Sequence, residues 1–252
     1  MLSCNNLLDN ENVTVLEEGG AFSVIEWKCD LSVAPGEAQV KYFMSKMNLH
    51  RRQLVCDMND EVITLQSGAM QWYGGGLKQT SGIKGAGDLA KKLLTSKVTK
   101  ESAVKPEYVG TGFLVTEPTY KHLMVEDLGN WRGGLVIQDG MFLAADGRTK
   151  MSVVTRENIS SAVAGGEGFF NLCLQGKGFV VLESSVPRDE LIEIVLQDDE
   201  VKIDGPLAIA WDASLKFTVE RSGKSLIGSA ASGEGLVNVY RGTGRILMSP
   251  GV

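Results

Sequence analysis

The chain has 252 residues, of which 43% are hydrophobic and 22% are charged, and its formal net charge is −6. These proportions are those of an ordinary globular protein and exclude a disordered chain. The acidic balance disfavours nonspecific binding to nucleic acid, because such binding relies on neutralising phosphates. Its 30 glycines predict many short strands joined by turns that need positive φ.

Residues 1–48 begin with a polar, acidic stretch that lacks the basic and apolar regions of an export signal. We therefore expect a cytoplasmic protein, and no stretch reaches the roughly 18 apolar residues of a membrane span. Further on, Phe22–Trp27 and Gln39–Met44 flank the turn sequence Ala34-Pro35-Gly36-Glu37. This pattern predicts a β-hairpin arm that covers a sheet edge or reaches a neighbouring subunit.

Six glycines fall into three pairs at a constant interval, because 176 − 110 and 242 − 176 both equal 66: Gly110 and Gly112, Gly176 and Gly178, Gly242 and Gly244. An apolar run follows each pair, as expected of a tight turn that leads into a strand. We assign these six glycines as structural turn residues. A recurrence this regular indicates a triplicated unit.

The repeat divides the chain into an N-terminal arm at 1–48 and three units at 49–118, 119–184 and 185–252. Ala144-Ala145-Asp146 and Ala210-Trp211-Asp212 keep the interval of the glycine pairs, and Asp60-Glu61-Val62 is compared with Asp199-Glu200-Val201. The first unit carries an insertion at about 82–100 that predicts one short helix after Asp88. The remaining runs predict strands, and hence an all-β fold of three units around a pseudo-threefold axis.

The sequence contains no recognised catalytic or metal-binding pattern. His50 and His122 are single histidines in different units, so we expect no metal and no cofactor. Glu167 and Glu234 could pair as acid and base, but their Gly-Glu-Gly setting is typical of a turn. We expect no catalytic residues and no enzyme activity. The cysteines form no CxxC pair and are expected to be free thiols: Cys4, Cys29, Cys56 and Cys173.

Two further groups have a ligand-binding interpretation. The loop Gly82–Gly87 precedes the predicted helix and could hold an anion on its N–H groups, but it lacks the Lys-Ser/Thr pair of a P-loop. Five aromatic residues could stack bases, although basic neighbours are sparse: Trp72, Tyr73, Trp131, Phe142 and Trp211. A flexible insertion and packing between units are favoured instead.

Several motifs resemble those of a known family: Gln66-Ser67-Gly68-Ala69-Met70, Gly140-Met141-Phe142-Leu143-Ala144-Ala145, Gly233-Glu234-Gly235-Leu236-Val237, Gly242-Thr243-Gly244 and the insertion 85–94. They are similar to the altered-inheritance-of-mitochondria twenty-four family, from about residue 49 to the C-terminus. The resemblance implies three units like the subunit of the trp RNA-binding attenuation protein (TRAP), of the short double-stranded β-helix or β-sandwich type. It implies no established activity and no agreed catalytic residues.

From the repeat and the resemblance we expect a non-catalytic, self-associating scaffold or binding module. Repeated small sheets leave strand edges, and closing them predicts a symmetric homo-oligomer, with a trimer expected first. Two alternatives stay open: an RNA-binding ring by fold analogy, although the charge disfavours nucleic acid, and an enzyme or small-ligand binder with a cupin-like pocket. The ligand, the partner and the role of the arm also stay open.

Overall fold

Strands dominate the part of the chain that the computed structural model describes, residues 2–81, 105–155, 170–221 and 236–251. The expectation of a mainly β protein is confirmed. In chain order the strands are β1 (Val13–Gly19), β2 (Phe22–Trp27), β3 (Arg51–Leu65), β4 (Met70–Gly75), β5 (Lys78–Thr80), β6 (Glu107–Thr116), β7 (His122–Asp127), β8 (Leu135–Ile137), β9 (Phe142–Asp146), β10 (Lys150–Thr155), β11 (Phe170–Gln175), β12 (Phe179–Ser184), β13 (Ile192–Asp204), β14 (Ala208–Asp212), β15 (Lys216–Arg221) and β16 (Leu236–Met248). Helix α1 spans Ala38–Lys46, and 3-10 turns span Pro35–Glu37, Leu128–Asn130 and Arg188–Glu190.

The N-terminal arm contains a hairpin, but not the predicted one. Gln39–Met44, expected as its second strand, lies in α1, so that prediction is wrong. Pro35 starts a 3-10 turn that leads directly into α1, and the following residues are mostly good helix formers, which outweigh the alternating pattern. The hairpin that does form joins β1 to β2, and β2 then pairs along β3. The predicted helix within 82–100 lies outside the described residues.

The strands form two sheets. The larger has nine strands in the order β1-β2-β3-β9-β12-β7, with β6 pairing β3 and with β4 and β5 pairing β6. The smaller has seven strands in the order β10-β11-β8-β14-β16-β13, with β15 pairing β16. All neighbouring pairs are antiparallel, which short connections allow.

One pairing register occurs three times along the chain. β4 pairs with β6, β9 with β12, and β14 with β16, and each pair contains a β-bulge at the same place. The residues just beyond these bulges pair as Trp72↔Val115, Ala144↔Val181 and Ala210↔Leu247. Val115, Val181 and Leu247 follow one another at the same interval as the glycine pairs, so this backbone register recurs at that interval.

The glycine pairs lie where long strands bend. Gly176 and Gly178 connect β11 to β12, but Gly110 and Gly112 lie inside β6, and the third pair lies inside β16. The tight-turn prediction is therefore wrong for two pairs out of three. The strand continues through those glycines because its partner carries the irregularity, at residues 58–61 of β3 and 196–199 of β13.

Each of these two bulges is held by the threonine between the paired glycines. Asp60 and Asp198 adopt positive φ, at 55° and 53°. The N–H of Asp60 donates to Thr111 Oγ1 over 3.0 Å, and the N–H of Asp198 donates to Thr243 Oγ1 over 3.0 Å. The hydroxyl satisfies a backbone donor that the bulge removes from the ladder.

Close contacts explain why glycine is needed at Gly112, which faces backbone, and at Gly178, which faces a side chain. Both have φ in the left-handed region, at 149° and 133°. A Cβ at Gly112 would collide with the carbonyl oxygen of Gly74, and a Cβ at Gly178 would collide with the carboxylate of Asp146. Any L residue at these two positions would therefore have a strained backbone and no room for its Cβ.

Apolar side chains fill the interior of both sheets. One cluster lies within the larger sheet and draws on β2, β3, β6, β7, β9 and β12, including Phe22, Leu54, Leu114 and Val181. Another lies where the two sheets meet, and a third lies within the smaller sheet around Trp211 and Tyr240. Packing within these clusters fixes the positions of the strands whose edges are described below.

We predict that Gly112→Ala lowers the free energy of unfolding by about 2 kcal/mol or more, because the new methyl group meets backbone that cannot rotate away. Gly36→Ala is the matched control, since nothing lies within 4 Å of a Cβ there and its effect should stay within about 1 kcal/mol. Urea denaturation followed by circular dichroism measures both. Equal stability of the two variants would contradict this role of Gly112.

Candidate functional site

The candidate site consists of two strand edges that are unpaired among the described residues, and they are recognised by comparison with two pairings that do form. The end of β3 pairs with β9 through Leu65↔Ala144, and β8 pairs with β14 through Ile137↔Ala210. Ala144 and Ala210 are related by the interval of the repeat. The same kind of edge therefore accepts the same kind of strand twice.

A third position of this kind exists on β13. Tyr108, Leu174 and Tyr240 also keep the interval of the repeat, and the residues opposite them are Ile63, Leu135 and Val201. Two residues further along each strand stand Leu65, Ile137 and Ile203. Ile203 on β13 thus matches the two residues that receive β9 and β14.

The strand that corresponds to β9 and β14 for this third position is β4. Trp72 occupies the place that Ala144 and Ala210 hold in β9 and β14. Among the described residues, however, β13 pairs with β16 alone and β4 with β6 alone. Among the described residues, the other side of each strand therefore has no backbone pairing.

The open edges carry exposed apolar and charged side chains. Val195 on β13 is 62% exposed and Tyr73 on β4 is 37% exposed. Beside the β13 edge, Arg241 makes ion pairs with Glu200 at 2.5 Å and with Glu220 at 2.6 Å. The Arg241 guanidinium, helped by the Thr218 hydroxyl, lowers the pKa of Glu220 to about 2.

Two equivalent aspartates hold the bends at the glycine pairs. Asp212 is 4% exposed and accepts hydrogen bonds from the N–H groups of Arg132, at 2.6 Å, and Arg245, at 2.7 Å. Asp146 accepts from the N–H of Phe179 at 3.2 Å and pairs with the Arg148 guanidinium at 2.7 Å. Both carboxylates satisfy backbone donors, as expected of repeated structural residues rather than of a catalytic pair.

A groove of about 400 Å³ opens at the end of the larger sheet, next to Asp146. Its walls are the β1–β2 turn, the bulge of β3, the end of β9 and the start of β12, with Phe22 and Phe179 as aromatic lining and with Asp60, Glu61 and Arg148 as charged lining. Arg148 is already engaged with Asp146. The groove brings together no nucleophile and base.

The two histidines occupy separate polar surroundings. His50 Nδ1 lies 3.2 Å from the Trp27 carbonyl oxygen, and its Nε2 lies 4.0 Å from Glu26. Burial and the nearby Arg52 lower the pKa of His122. In the described ranges no three His, Cys, Asp or Glu side chains converge as a metal site.

The aromatic residues mostly pack in the core. Trp131, Phe142 and Trp211 are buried, and Trp211 stacks within 5.5 Å of the Phe217 and Tyr240 rings. All four cysteines are free; Cys56 and Cys173 are buried while Cys29 is exposed. Glu167, Glu234 and the Gly82–Gly87 loop lie outside the described residues. No helix in the described ranges is long and apolar enough to cross a membrane.

The open edges themselves were not found from the sequence. The signal was available, because applying the interval of the glycine pairs to the apolar runs places Val201 and Ile203 with Leu135 and Ile137. Nothing in the sequence indicates that β13, unlike β3 and β8, has no second neighbouring strand among the described residues. That fact emerges from the backbone pairing alone.

Comparison with known proteins places the chain in a family. A family model described as AIM24, Mitochondrial biogenesis AIM24, matches residues 48–251. The chain is 28% identical over 192 residues to the uncharacterized protein M6_Spy0233 of Streptococcus pyogenes serotype M6, which covers 73% of this chain and 75% of that protein. The crystal structure of protein SPYM3_0169 from Streptococcus pyogenes is similar in fold, with a TM-score of 0.58 and 24% identity, over 81% of this chain and 89% of that one.

We predict that Asp212→Ala lowers the free energy of unfolding by about 1 to 3 kcal/mol, because two part-buried backbone N–H groups lose a charged acceptor. Asp57→Ala, at an exposed position of β3, is the control and should change stability by less than about 0.5 kcal/mol. Thermal and urea unfolding measure both variants. A loss no larger than that of the control would show that Asp212 does not hold the bend.

We predict that Arg241→Gln returns the pKa of Glu220 from about 2 toward an ordinary carboxyl value. Because the folded pKa is depressed, the pair stabilises the fold at neutral pH, and this contribution is lost as the pH falls toward 2. Carbon-13 NMR titration of the Glu220 carboxyl measures the shift. Lys202→Gln should move it less, since Lys202 contributes only at longer range; an unchanged Glu220 titration in Arg241→Gln would refute the assignment.

Proposed function

Since the chain belongs to the AIM24 family, we propose that it is a non-catalytic, self-associating β scaffold or binding module built from three TRAP-like units. The proposed units are 49–118, 119–184 and 185–252, with residues 1–48 as an added arm. The observation that carries the proposal is the pair of matching open edges on β4 and β13. Whole chains would assemble through these two edges.

The recurring register supports three units. Each unit would contribute a long bent pair of strands and one strand that pairs across to the unit before it. The crossings β3 with β9 and β8 with β14 are two instances of one contact. A chain of three units contains two internal junctions and leaves one donor edge and one acceptor edge unused.

The unused edges support assembly between chains. Natural proteins usually cover or blunt exposed strand edges, because the free backbone groups of an edge invite pairing with another chain. Here the donor and acceptor edges differ, so the contact is head-to-tail, and it ends only when a ring closes. We propose a ring of three chains, in which Ile203 of one chain stands opposite Trp72 of the next.

The chemistry of the groove and core supports a binding or scaffolding role over catalysis. The repeated aspartates serve backbone donors, and the interior is filled with apolar side chains. The family description concerns mitochondrial biogenesis, whereas the similar proteins named above are bacterial. A cytoplasmic location for this chain is part of the proposal.

A cysteine pair placed at the proposed junction tests the assembly. The pairs Thr64↔Ala145 and Val136↔Trp211 make Lys202 and Tyr73 the corresponding residues. In a Cys4→Ser/Cys29→Ser background, Tyr73→Cys/Lys202→Cys should form disulfides between chains under mild oxidation. Non-reducing electrophoresis should show a band of three chains, and light scattering of the unmodified protein should give three times the chain mass.

The matched control moves one cysteine to the other end of β13, as Tyr73→Cys/Glu193→Cys. That variant should stay uncrosslinked, because Glu193 stands far along β13 from Lys202. A monomeric mass for the unmodified protein, or a disulfide that forms within one chain, would overturn the head-to-tail ring. A crosslinked species with a number of chains other than three would support the β4–β13 contact but contradict the ring of three.

A further inference from the structure

Helix α1 exposes the apolar side that a helix normally buries. Apolar side chains recur along α1 and its C-cap at the spacing i, i+3, i+4, i+7, which places them on one side of the helix: Val40, Phe43, Met44 and Met47. No residue of α1 is buried, and Val40, Phe43 and Met47 are 61%, 57% and 74% exposed. The stripe of apolar side chains on α1 therefore faces solvent.

The neighbouring parts of the chain hold α1 through polar groups instead. Lys41 Nζ donates to the Tyr120 hydroxyl at 2.7 Å and lies 3.8 Å from the Asp30 carboxylate. Just after the helix, Arg52 Nη2 donates to the carbonyl oxygen and to Oδ1 of Asn48, at 3.1 and 2.7 Å. These contacts fix the position of α1 and leave the apolar stripe outside.

The segment around α1 is basic, although the chain as a whole is acidic. Residues 28–52 contain five basic and two acidic residues: Lys28, Lys41, Lys46, Arg51 and Arg52 against Asp30 and Glu37. The formal charge of this segment is +3, against −9 for the rest of the chain, since the whole chain carries −6. Lys41 and Arg51 share one carboxylate, that of Asp30, at 3.8 and 3.2 Å. The surface beside the stripe thus keeps a net positive charge.

Lys46 and two aromatic rings lie at the flank of the stripe. Lys46 is exposed, and its Nζ lies 5.3 Å from the centre of the Tyr42 ring. The rings of Tyr42 and Phe43 pack edge to face with their centroids 5.6 Å apart. Lysine and tyrosine have an apolar stem or ring and a polar tip, which suits them to the boundary between lipid and water.

We propose that α1 docks the protein on an anionic phospholipid surface, with Phe43 and Met47 among the acyl chains and Lys46 beside the lipid phosphates. An amphipathic helix with an exposed apolar side and basic flanks lies in the plane of a membrane interface without crossing it. An anionic bilayer matches both features of α1 at once, because its headgroups attract the basic side chains and its acyl chains bury the stripe.

The position of α1 in the chain fits an attachment element. The family model begins at residue 48, so α1 lies outside the matched body. Because no residue of α1 is buried, the helix adds no side chain to the core. It can therefore attach the body to a surface without altering the packing of the body. The inference rests on α1 alone, so it can fail while the β4–β13 ring holds, and the reverse.

Co-sedimentation with lipid vesicles tests the apolar part of the proposal. The unmodified protein should bind vesicles of phosphatidylglycerol and phosphatidylcholine in equal parts. Phe43→Ala should weaken this binding about tenfold, because an apolar side chain no longer enters the bilayer, while alanine preserves the helix. Ile192→Ala is the matched control and should bind like the unmodified protein, since Ile192 is 44% exposed but lies on the smaller sheet.

A charge reversal tests the electrostatic part. Lys46→Glu should weaken binding to the same vesicles about tenfold or more, because attraction to the headgroups becomes repulsion. Lys177→Glu makes the same change in net charge at another exposed position and should weaken binding by less than about twofold, since salt screens distant charges. Vesicles of phosphatidylcholine alone, and high salt, should both reduce binding of the unmodified protein.

Thermal unfolding followed by circular dichroism separates docking from folding. Phe43→Ala and Lys46→Glu should unfold at the temperature of the unmodified protein, because no residue of α1 is buried. Absence of vesicle binding by the unmodified protein would overturn the proposal, and self-association lost in Phe43→Ala would then assign the stripe to a second copy of the chain. Equal loss of binding in the control variants would also overturn it, by showing adsorption that does not involve α1.

Discussion

The need to cover strand edges shapes much of this molecule, although β5, β10 and β15 each pair on one side alone among the described residues. Backbone N–H and C=O groups that lose water must be hydrogen-bonded, and a repeated β unit creates a new edge with every copy. Three kinds of contact cover edges in this chain. β3 pairs with β9 and β8 pairs with β14, while β2 pairs along the first half of β3. The side chains of Glu17 and Arg188 bind the backbone N–H and C=O of Val125. The edges of β13 and β4 receive no such partner among the described residues, which is why we place the function of the protein there.

Bends in the long strands make this arrangement of edges possible. β3 pairs with β2 over its first residues and with β9 over its last, so it changes direction between them, and β13 has a bulge at the matching place although it pairs with β16 alone among the described residues. Bulges capped by Thr111 and Thr243 supply the bend, and glycines allow the close backbone contact that follows. Asp146 and Asp212 bind the donors that the bend releases. The recurrence of these residues therefore reflects a backbone geometry that recurs along the chain.

Much of the backbone register was predictable, because the constant interval between the glycine pairs also relates Val115, Val181 and Leu247. The conformation at those glycines was not, since a Gly-x-Gly sequence suits both a tight turn and a bend opposite a bulge. The comparison of Asp60 with Asp199 is off by one: Asp60 shares its positive φ and threonine contact with Asp198. Similar side chains gave the wrong alignment there, because the pairing register with the partner strand, and not residue identity, sets the position of the bulge. The Glu17–Arg188 ion pair joins residues 171 positions apart, and no local pattern marks such a contact.

The central claim, that β13 of one chain pairs with β4 of another, is tested most directly by amide exchange as a function of dilution. At high concentration the outward amides of residues 199–204 and 70–75 should be protected together, and both sets should lose protection together as the assembly dissociates. Amides of β16 and β6, on the inner side of the same strands, should stay protected throughout. Exchange at 199–204 and 70–75 that is fast and independent of concentration would contradict the account.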